Sequence, residues 1–586
     1  MLQPASKSSV KGDFSRGVIT LRNSPYKLAV RGGAWYITES YLTGKPQEHR
    51  VDYTLGNRRI QHYLTTLPGG RIIVLPPSWD VLRKQWFHNF DIGDPDETSD
   101  VMVQVWNKNC FSCHVSQQEK NFDPRTNEYK TAWLDFGTNC ERCHGPGSEH
   151  IAHYSAPVKP AGPVTGIVLQ TRLDPVRNSE VCAQCHSFRD IYVPGYAAGD
   201  RYYDHFLPIL EASQPVDKDP AYWPDGRTRR FSNDAFGLWQ SECFLKGKAV
   251  CTTCHTSAHE TEIERNPQLR PDANALCAQC HEAIGKASVQ HSRHAAGSAG
   301  DSCIECHMPR TVLSIKAEIR DHSMSVPAPE KTARHGIPNA CNNCHRDRDP
   351  AWAAKQMTAW WGEAGRAKWL RRADAFALAA AGKAEAIPLL LAILNQPAEG
   401  PLPRGNAATY LPRFASDPRV FPALLRALSD PEPLVRATAA LRIGNAAAKP
   451  DLIRALADPI ATVRIGAVVS LVSMGVKELP GDDGARFTSA KALFETRARH
   501  NVDDAEQQIG AGRFYFLTGD TVKAIEAFQA SLRLDPDAQA EYLLGAAYAQ
   551  NGQYQESREV LGSIRRNDPQ YARAQKLLAA LSQSGH

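Results

Sequence analysis

No apolar run in this 586-residue chain approaches the ~20 residues that a membrane-crossing helix needs; the longest lie near 387–394 and 465–476. A transmembrane segment is therefore not expected. Residues 1–14 are polar and lack the apolar stretch of a secretion signal. Charge of one sign is also missing, since 68 Lys and Arg against 63 Asp and Glu leave a formal +5. Residues 1–90 are locally basic and 91–100 (DIGDPDETSD) form an acidic run that reads as an exposed linker. No basic cluster interleaved with stacking aromatics stands apart, which argues against nucleic acid as a partner. A βαβ pattern is absent, and no cysteine follows residue 344.

The cysteines that are present are highly ordered. Fourteen of the 15 fall into seven Cys-x-x-Cys-His motifs: Cys110/Cys113/His114, Cys140/Cys143/His144, Cys182/Cys185/His186, Cys251/Cys254/His255, Cys277/Cys280/His281, Cys303/Cys306/His307 and Cys341/Cys344/His345. Random placement would give roughly 0.01 such motifs in a chain of this composition. Two thiols three residues apart reach both vinyl groups of one porphyrin as thioethers, and the next residue places an imidazole on the iron. Structural zinc would group the pairs two at a time, which an odd number forbids, and would not want a His after every pair. A disulfide framework would vary its spacings, and a thioredoxin-type pair would stand alone in a βαβ unit. Seven covalently bound c-type haems are thus expected. Their propionates more than offset the apparent basicity of the polypeptide. The odd thiol, Cys243, is either buried or a sulfur centre near the fourth motif.

The expected fold is α with minor β. Residues 17–77 alternate apolar and polar around Gly32-Gly33 and Gly69-Gly70, so 1–90 reads as a small β-rich domain. Residues 91–365 read as a heptahaem region with little regular structure. Its motifs follow at intervals of 30, 42, 69, 26, 26 and 38 residues, too short for separate domains. The haems must crowd together and form the apolar interior, so this region is expected to depend on them for folding. Beyond Trp352, Trp360 and Trp361 the chain becomes Ala/Leu-rich. Ser429-Asp430-Pro431 with Val435-Arg436 returns as Ala457-Asp458-Pro459 with Val463-Arg464, a paired-helix pattern of HEAT type over 366–480, with a weaker copy at 387–411. Gly512, Tyr515, Ala524, Phe528 and Pro536 are echoed by Gly545, Tyr548, Ser557, Leu561 and Pro569, a tetratricopeptide pattern over 481–586. An α-solenoid results.

Each motif supplies one axial histidine; the sixth position decides between electron transfer and substrate binding. Thirteen further histidines are available, ten of them between 62 and 335. The chain resembles the multihaem cytochromes of the cytochrome c-552/c-554 type with C-terminal tetratricopeptide repeats. The resemblance rests on WDVLRKQWFH (79–88), CERCHGPGSEH (140–150), YYDHFLP (202–208), SECFLKGKAVCTTCH (241–255), HSRHAAGSAGDSCIECHMP (291–309), RDHS (320–323) and GIPNACNNCH (336–345). It implies distal ligation by His88, His150, His205, His291, His294 and His322, with His259 beside the fourth motif as the natural seventh. The spacing of His291 and His294 would put both on one helical face, serving two haems or one haem and a propionate. His88 sits in a Trp-Phe-His context that could equally be packing, and a further histidine usual in the family before the first motif is absent at 102–106. His62, His153 and His335 are reserves; His49, His500 and His586 are expected at the surface. Met308 follows a motif histidine and cannot reach back to its iron, so it is read as packing.

Three functions compete. The first is a periplasmic or otherwise exported electron carrier with closely packed bis-His haems, working with redox partner proteins that dock on the helical repeats. Thioether attachment occurs outside the cytoplasm, so a secretion signal is expected to have been removed. The second is an oxidoreductase acting on a small nitrogen or sulfur compound at one open haem, although no motif ends in Lys. The third is a structural subunit of a conductive assembly. The repeats, having no haem motif, are expected to be dispensable for redox chemistry unless they cover apolar surface of the haem region, as the three tryptophans suggest.

Overall fold

The structure, a computed structural model, describes residues 1–583 apart from 41, 93–103, 158–161, 163–164, 214–219, 232, 257–268, 271 and 315. His259, His586 and most of the acidic run lie outside the described residues. The alternating N-terminal sequence forms β1 (Leu2–Pro4), β2 (Val18–Leu21), β3 (Ser24–Arg31), β4 (Ala34–Glu39), β5 (Gln47–Arg50), β6 (Tyr53–Leu55), β7 (Ile60–Thr66), β8 (Ile72–Asp80) and β9 (Gln85–His88). Antiparallel pairing gives a four-stranded sheet in the order β2-β3-β4-β5 and a five-stranded sheet in the order β1-β6-β7-β8-β9. The predicted Gly-Gly breaks fall between β3 and β4 and between β7 and β8.

Strand β8 has all nine residues buried, because each of its faces meets a different partner. One face, with Ile73, Leu75 and Trp79, packs on Tyr26, Leu28 and Ile37 of the other sheet. The opposite face, with Ile72 and Val74, packs on Trp106, Phe111 and Val115 around the first motif. Main-chain pairing continues there: Val74 N–H donates to the Gln104 carbonyl at 3.0 Å, and Ile72 N–H to Asn107 Oδ1 at 2.7 Å. The sheet is therefore one wall of the first haem motif.

From 104 to 366 the helices are short, and two-residue to five-residue strand pairs steady the loops between them. Between 242 and 308, among the described residues, no side chain is buried. The C-terminal region is the opposite. Helix Pro401–Tyr410 buries all ten of its residues, and helix Ala461–Ser473 buries ten of thirteen. The repeated Asp and Arg explain the HEAT-type pattern. In each copy the aspartate accepts from the following backbone, Asp430 from Glu432 N–H and Asp458 from Ile460 N–H, at 2.9 and 2.8 Å. Each also pairs with an arginine of the preceding unit, Arg404 with Asp430 and Arg436 with Asp458. In the tetratricopeptide pattern, a Cβ on Gly512 would come within 2.5 Å of the Phe528 ring and one on Gly545 within 2.6 Å of Leu561. Each small residue thus admits the large one of the neighbouring helix.

The solenoid is not a detachable appendage. One continuous cluster joins Tyr192, Tyr202, Tyr203, Phe206, Phe236 and Trp239 of the haem region to Phe376, Leu390, Tyr410, Leu434 and Val463 of the repeats. Polar ties reinforce it: Thr462 Oγ1 donates to the Tyr203 carbonyl at 2.7 Å, and Lys120 meets Asp503 at 2.6 Å in a nearly water-free contact. Covering of apolar surface, the alternative attached to the tryptophans, is what the packing shows.

Candidate haem sites

Every motif is wound into one helical turn. In six, the histidine N–H donates to the carbonyl of the first cysteine at 2.9–3.2 Å; the remaining one lies inside helix Cys303–His307. A turn of this kind puts residues i, i+3 and i+4 on one face. Both thiols and the imidazole of each motif consequently point to one side, the arrangement a covalently held porphyrin requires.

Three motif histidines face a second imidazole. Ring centres are 6.3 Å apart for His255 and His322, 6.0 Å for His307 and His291, and 6.2 Å for His345 and His294. Imidazole nitrogens bind metals at about 2.0–2.1 Å, so rings on opposite sides of one iron have centres roughly 6 Å apart. The chain's own geometry fits bis-histidine iron at these three places. His291 and His294 do not share a helical face: helix Ser288–Ser292 ends between them and Arg293 takes the left-handed conformation at φ 61°. Each therefore turns to a different motif. Helix Pro350–Trp361 closes this corner, with the ring centres of Trp352 5.0 Å from His345 and Trp361 4.9 Å from His291.

The fifth motif departs from the expectation of a crowded, enclosed ligand. His281 is exposed, although its N–H completes the motif turn on the Cys277 carbonyl at 2.9 Å. Its backbone, at φ −111° and ψ 49°, leaves the helical region and caps helix Glu282–Lys286. The cause of the exposure is local: helices of four to six residues surround it, and none has an apolar face broad enough to pack over the ring. Among the described residues no second imidazole is brought to His281 at the spacing of the three pairs above. Burial lowers the His307 imidazole, with smaller contributions from neighbouring His291 and then His281. The metal-ligand assignment of His281 therefore rests on its motif alone.

Around the first motif the structure brings in His62. Its register opposite Ser78 on β8 gives an Nδ1–Oγ contact of 2.7 Å. Burial pushes its imidazole down to about 4, with neighbouring His114 as the second cause. His88 is set differently: it is buried against Phe90, its Nδ1 accepts from Phe90 N–H at 3.3 Å, and its nearby charges are Arg22 and Asp91.

The Nδ1 atoms separate ligand-like histidines from structural ones. Nδ1 contacts a main-chain carbonyl in His144 (Val168, 2.7 Å), His150 (Thr165, 3.0 Å), His205 (Val193, 2.9 Å), His294 (Ser292, 2.7 Å) and His307 (Ser325, 3.1 Å). A carbonyl only accepts, so the proton sits on Nδ1; Nε2 is left as the metal donor, save that in His205 it also lies 3.4 Å from Asp200 Oδ2. In His186 the Nδ1 partner is the carboxylate of Asp234, and in His322 Nδ1 lies 3.1 Å from both the Arg320 carbonyl, its hydrogen-bond acceptor, and Asp234 Oδ1. Burial opposes ionisation of Asp234, but its bonds to the two imidazoles prevail and hold it well below the usual carboxylate range. By contrast, His49 and His335 commit Nε2 to Glu39 at 2.9 Å and Asp374 at 2.7 Å. His49 is thereby buried in the first sheet instead of lying at the surface. His500 is also drawn inward, and burial pushes it down to about 4. His153 packs on Tyr154.

Neighbouring motifs meet through their thiols. Cys113 lies beside Cys185, Cys182 beside Cys251, and Cys277 beside Cys303. Cys143 lies by Cys182, Cys254 by Cys280, and Cys306 by Cys341 and Cys344. The third motif is thus a junction for the first, second and fourth, from which the rest continue in chain order. Cys243 lies beside Cys254 and Cys280, and burial raises its thiol.

A family described as a doubled CXXCH motif matches residues 244–286, where the fourth and fifth motifs lie back to back. Tetratricopeptide repeat models match 483–539 and 515–581, and a HEAT repeat model matches 420–449. The chain is a multihaem c-type cytochrome with C-terminal helical repeats. Its CXXCH chemistry supports electron transfer by haem iron. Among solved structures, the outer cell wall cytochrome OcwA is similar at 19% identity and a TM-score of 0.39, over 67% of this cytochrome and 88% of that chain. No curated protein matches. Among the described residues no helix of this cytochrome is long and apolar enough to cross a membrane.

Proposed function

We propose that this cytochrome is an exported electron carrier that holds seven c-type haems. The observation that carries the reading is the pairing of three motif histidines with second imidazoles at 6.0–6.3 Å. Each haem supplies a one-electron ferric/ferrous couple when bound. The protein fixes each motif in a helical turn, holds Nδ1 of His144, His186 and His307 so that Nε2 faces the metal, and sets the motifs in contact with one another. His322, His291 and His294 are the distal ligands for the fourth, sixth and seventh motifs, and His62 takes the first in place of His88. His150 and His205 serve the second and third, and His259 is left as the candidate for the fifth. The functional units are the sheet domain of 1–90, the haem region of 91–365, and the repeats of 366–480 and 481–586.

Partner docking belongs to the repeats. An open cavity of about 370 Å³ is lined by Phe516, Leu517, Tyr542 and Leu543 and flanked by Arg513 and Arg573. Apolar side chains together with two arginines in the lining suit an acidic segment of a redox partner.

Intact mass of the denatured protein tests the haem count, and electron paramagnetic resonance of the oxidised protein tests ligation. The expected results are a mass gain of seven haems and low-spin ferric signals only. A smaller gain would retire a motif, and a high-spin signal worth one haem would replace the carrier reading with an oxidoreductase acting at an open iron.

A further inference from the structure

Asp234 touches two of the histidines assigned above to different haems. Its Oδ2 lies 3.1 Å from His186 Nδ1, and its Oδ1 lies 3.1 Å from His322 Nδ1. His186 belongs to the third motif; His322 faces His255 of the fourth. His186 Nδ1–H is bonded to Oδ2, while the His322 ring, hydrogen-bonded to the Arg320 carbonyl, holds its Nδ1 3.1 Å from Oδ1, so the single side chain lies between the two axial ligands.

The surrounding backbone fixes that bridge. Asp234 opens the short helix Asp234–Leu238, and the next residue, Ala235, donates its N–H to the His186 carbonyl at 3.1 Å. Three residues on, Gly237 lies so close to His322 that a Cβ there would sit 2.8 Å from its carbonyl carbon. One helical turn thus grips the main chain of both histidines while its first side chain grips their rings. Thiol contact between Cys182 and Cys251 brings the same two motifs together from the other side.

We propose that Asp234 is a shared positioning residue that sets the potentials of the third and fourth haems as a pair. The inference rests on the reading of His186 and His322 as iron ligands. A carboxylate accepting from Nδ1–H raises the basicity of an axial imidazole, strengthens its donation to ferric iron and lowers the haem potential. Because one carboxylate serves both rings, both haems are held low together. The two neighbours at the junction are thereby matched, which favours fast electron exchange between them.

Asp234→Asn in the mature holoprotein keeps the shape but leaves a single acceptor oxygen and no charge. Redox titration followed by optical and paramagnetic resonance spectra should show two of seven components shifting to higher potential, with seven haems still attached by mass. Asp234→Glu, which restores the charge, should return at least one of the two toward its original potential. Unchanged potentials, or a shift of one component alone, would overturn the shared role. If Asp234→Asn loses haem or fails to fold, the unmodified protein decides: two low-spin signals with the narrowed g-spread of strongly donating imidazole support the proposal, and their absence overturns it. The underlying ligand reading fails separately, through His322→Ala leaving every low-spin signal unchanged.

Discussion

Residues 242–308 and helices 386–472 are built on opposite principles. The first segment carries three haem motifs on helices of four to six residues and, among its described residues, buries no side chain. The second packs helices such as Ala461–Ser473 until most of their residues are enclosed. Helices of one turn are too short to hold themselves in water, since nucleation costs more than one hydrogen bond returns. Long helices with a broad apolar face are stabilised by their neighbours. The repeats therefore carry their own interior in aliphatic side chains, whereas 242–308 buries no described side chain and is expected to take its interior from bound porphyrin. This contrast also explains the position of the repeats, whose surplus apolar face continues into Tyr202, Phe206 and Trp239.

The sharpest way to break the comparison is to withhold haem. Protein produced without thioether attachment should lose all amide-exchange protection over 242–308 while helices 386–472 keep theirs, because only the former takes its core from the cofactor. Retained protection in 242–308, read by exchange mass spectrometry, would show that polypeptide packing alone holds it.

A smaller effect is expected from cutting into the shared core. Phe376 is fully buried where the repeats meet the haem region, and Phe376→Ala should cost about 3–5 kcal/mol. Calorimetry should show both regions unfolding earlier in a single transition. If the haem region keeps its midpoint, the two are energetically separate despite their continuous packing.

The least disruptive test compares His62 with His88 in the sheet domain. His62→Ala should convert one haem in seven from low spin to high spin or to a replacement ligand, while His88→Ala leaves the spectrum unchanged and all haems attached. The reverse outcome would restore His88, the residue that family resemblance implies, as the ligand of the first iron.

The attachment chemistry was legible in the sequence because it is local: two thiols and an imidazole within five residues need only one helical turn to converge. The repeats were legible for a related reason. Asp430 and Asp458, or Gly512 and Gly545, recur because each copy solves the same packing problem against its neighbour. The Gly-Gly breaks and alternating strands announced the sheets in the same way. What spacing could not reveal was which distant imidazoles meet. The i, i+3 relation of His291 and His294 suggested a common face, but the left-handed turn at Arg293 sends them to different motifs. His62 was only a reserve until the pairing of β7 with β8 carried it toward His114. Nor does a motif reveal how far its histidine is covered: His281 has the same spacing as His307, yet one ring is exposed and the other is drawn against His291.

The sequence by itself determined that seven Cys-x-x-Cys-His motifs are present and that helical repeats follow them, since the motifs and repeat stacking are written in residues a few positions apart. Only the tertiary structure decided which imidazoles oppose one another, that Asp234 lies between His186 and His322, and that the repeats share a core with the haem region. Those features join residues far apart in the chain, and no local periodicity encodes a distance that is set by the packing of the whole fold.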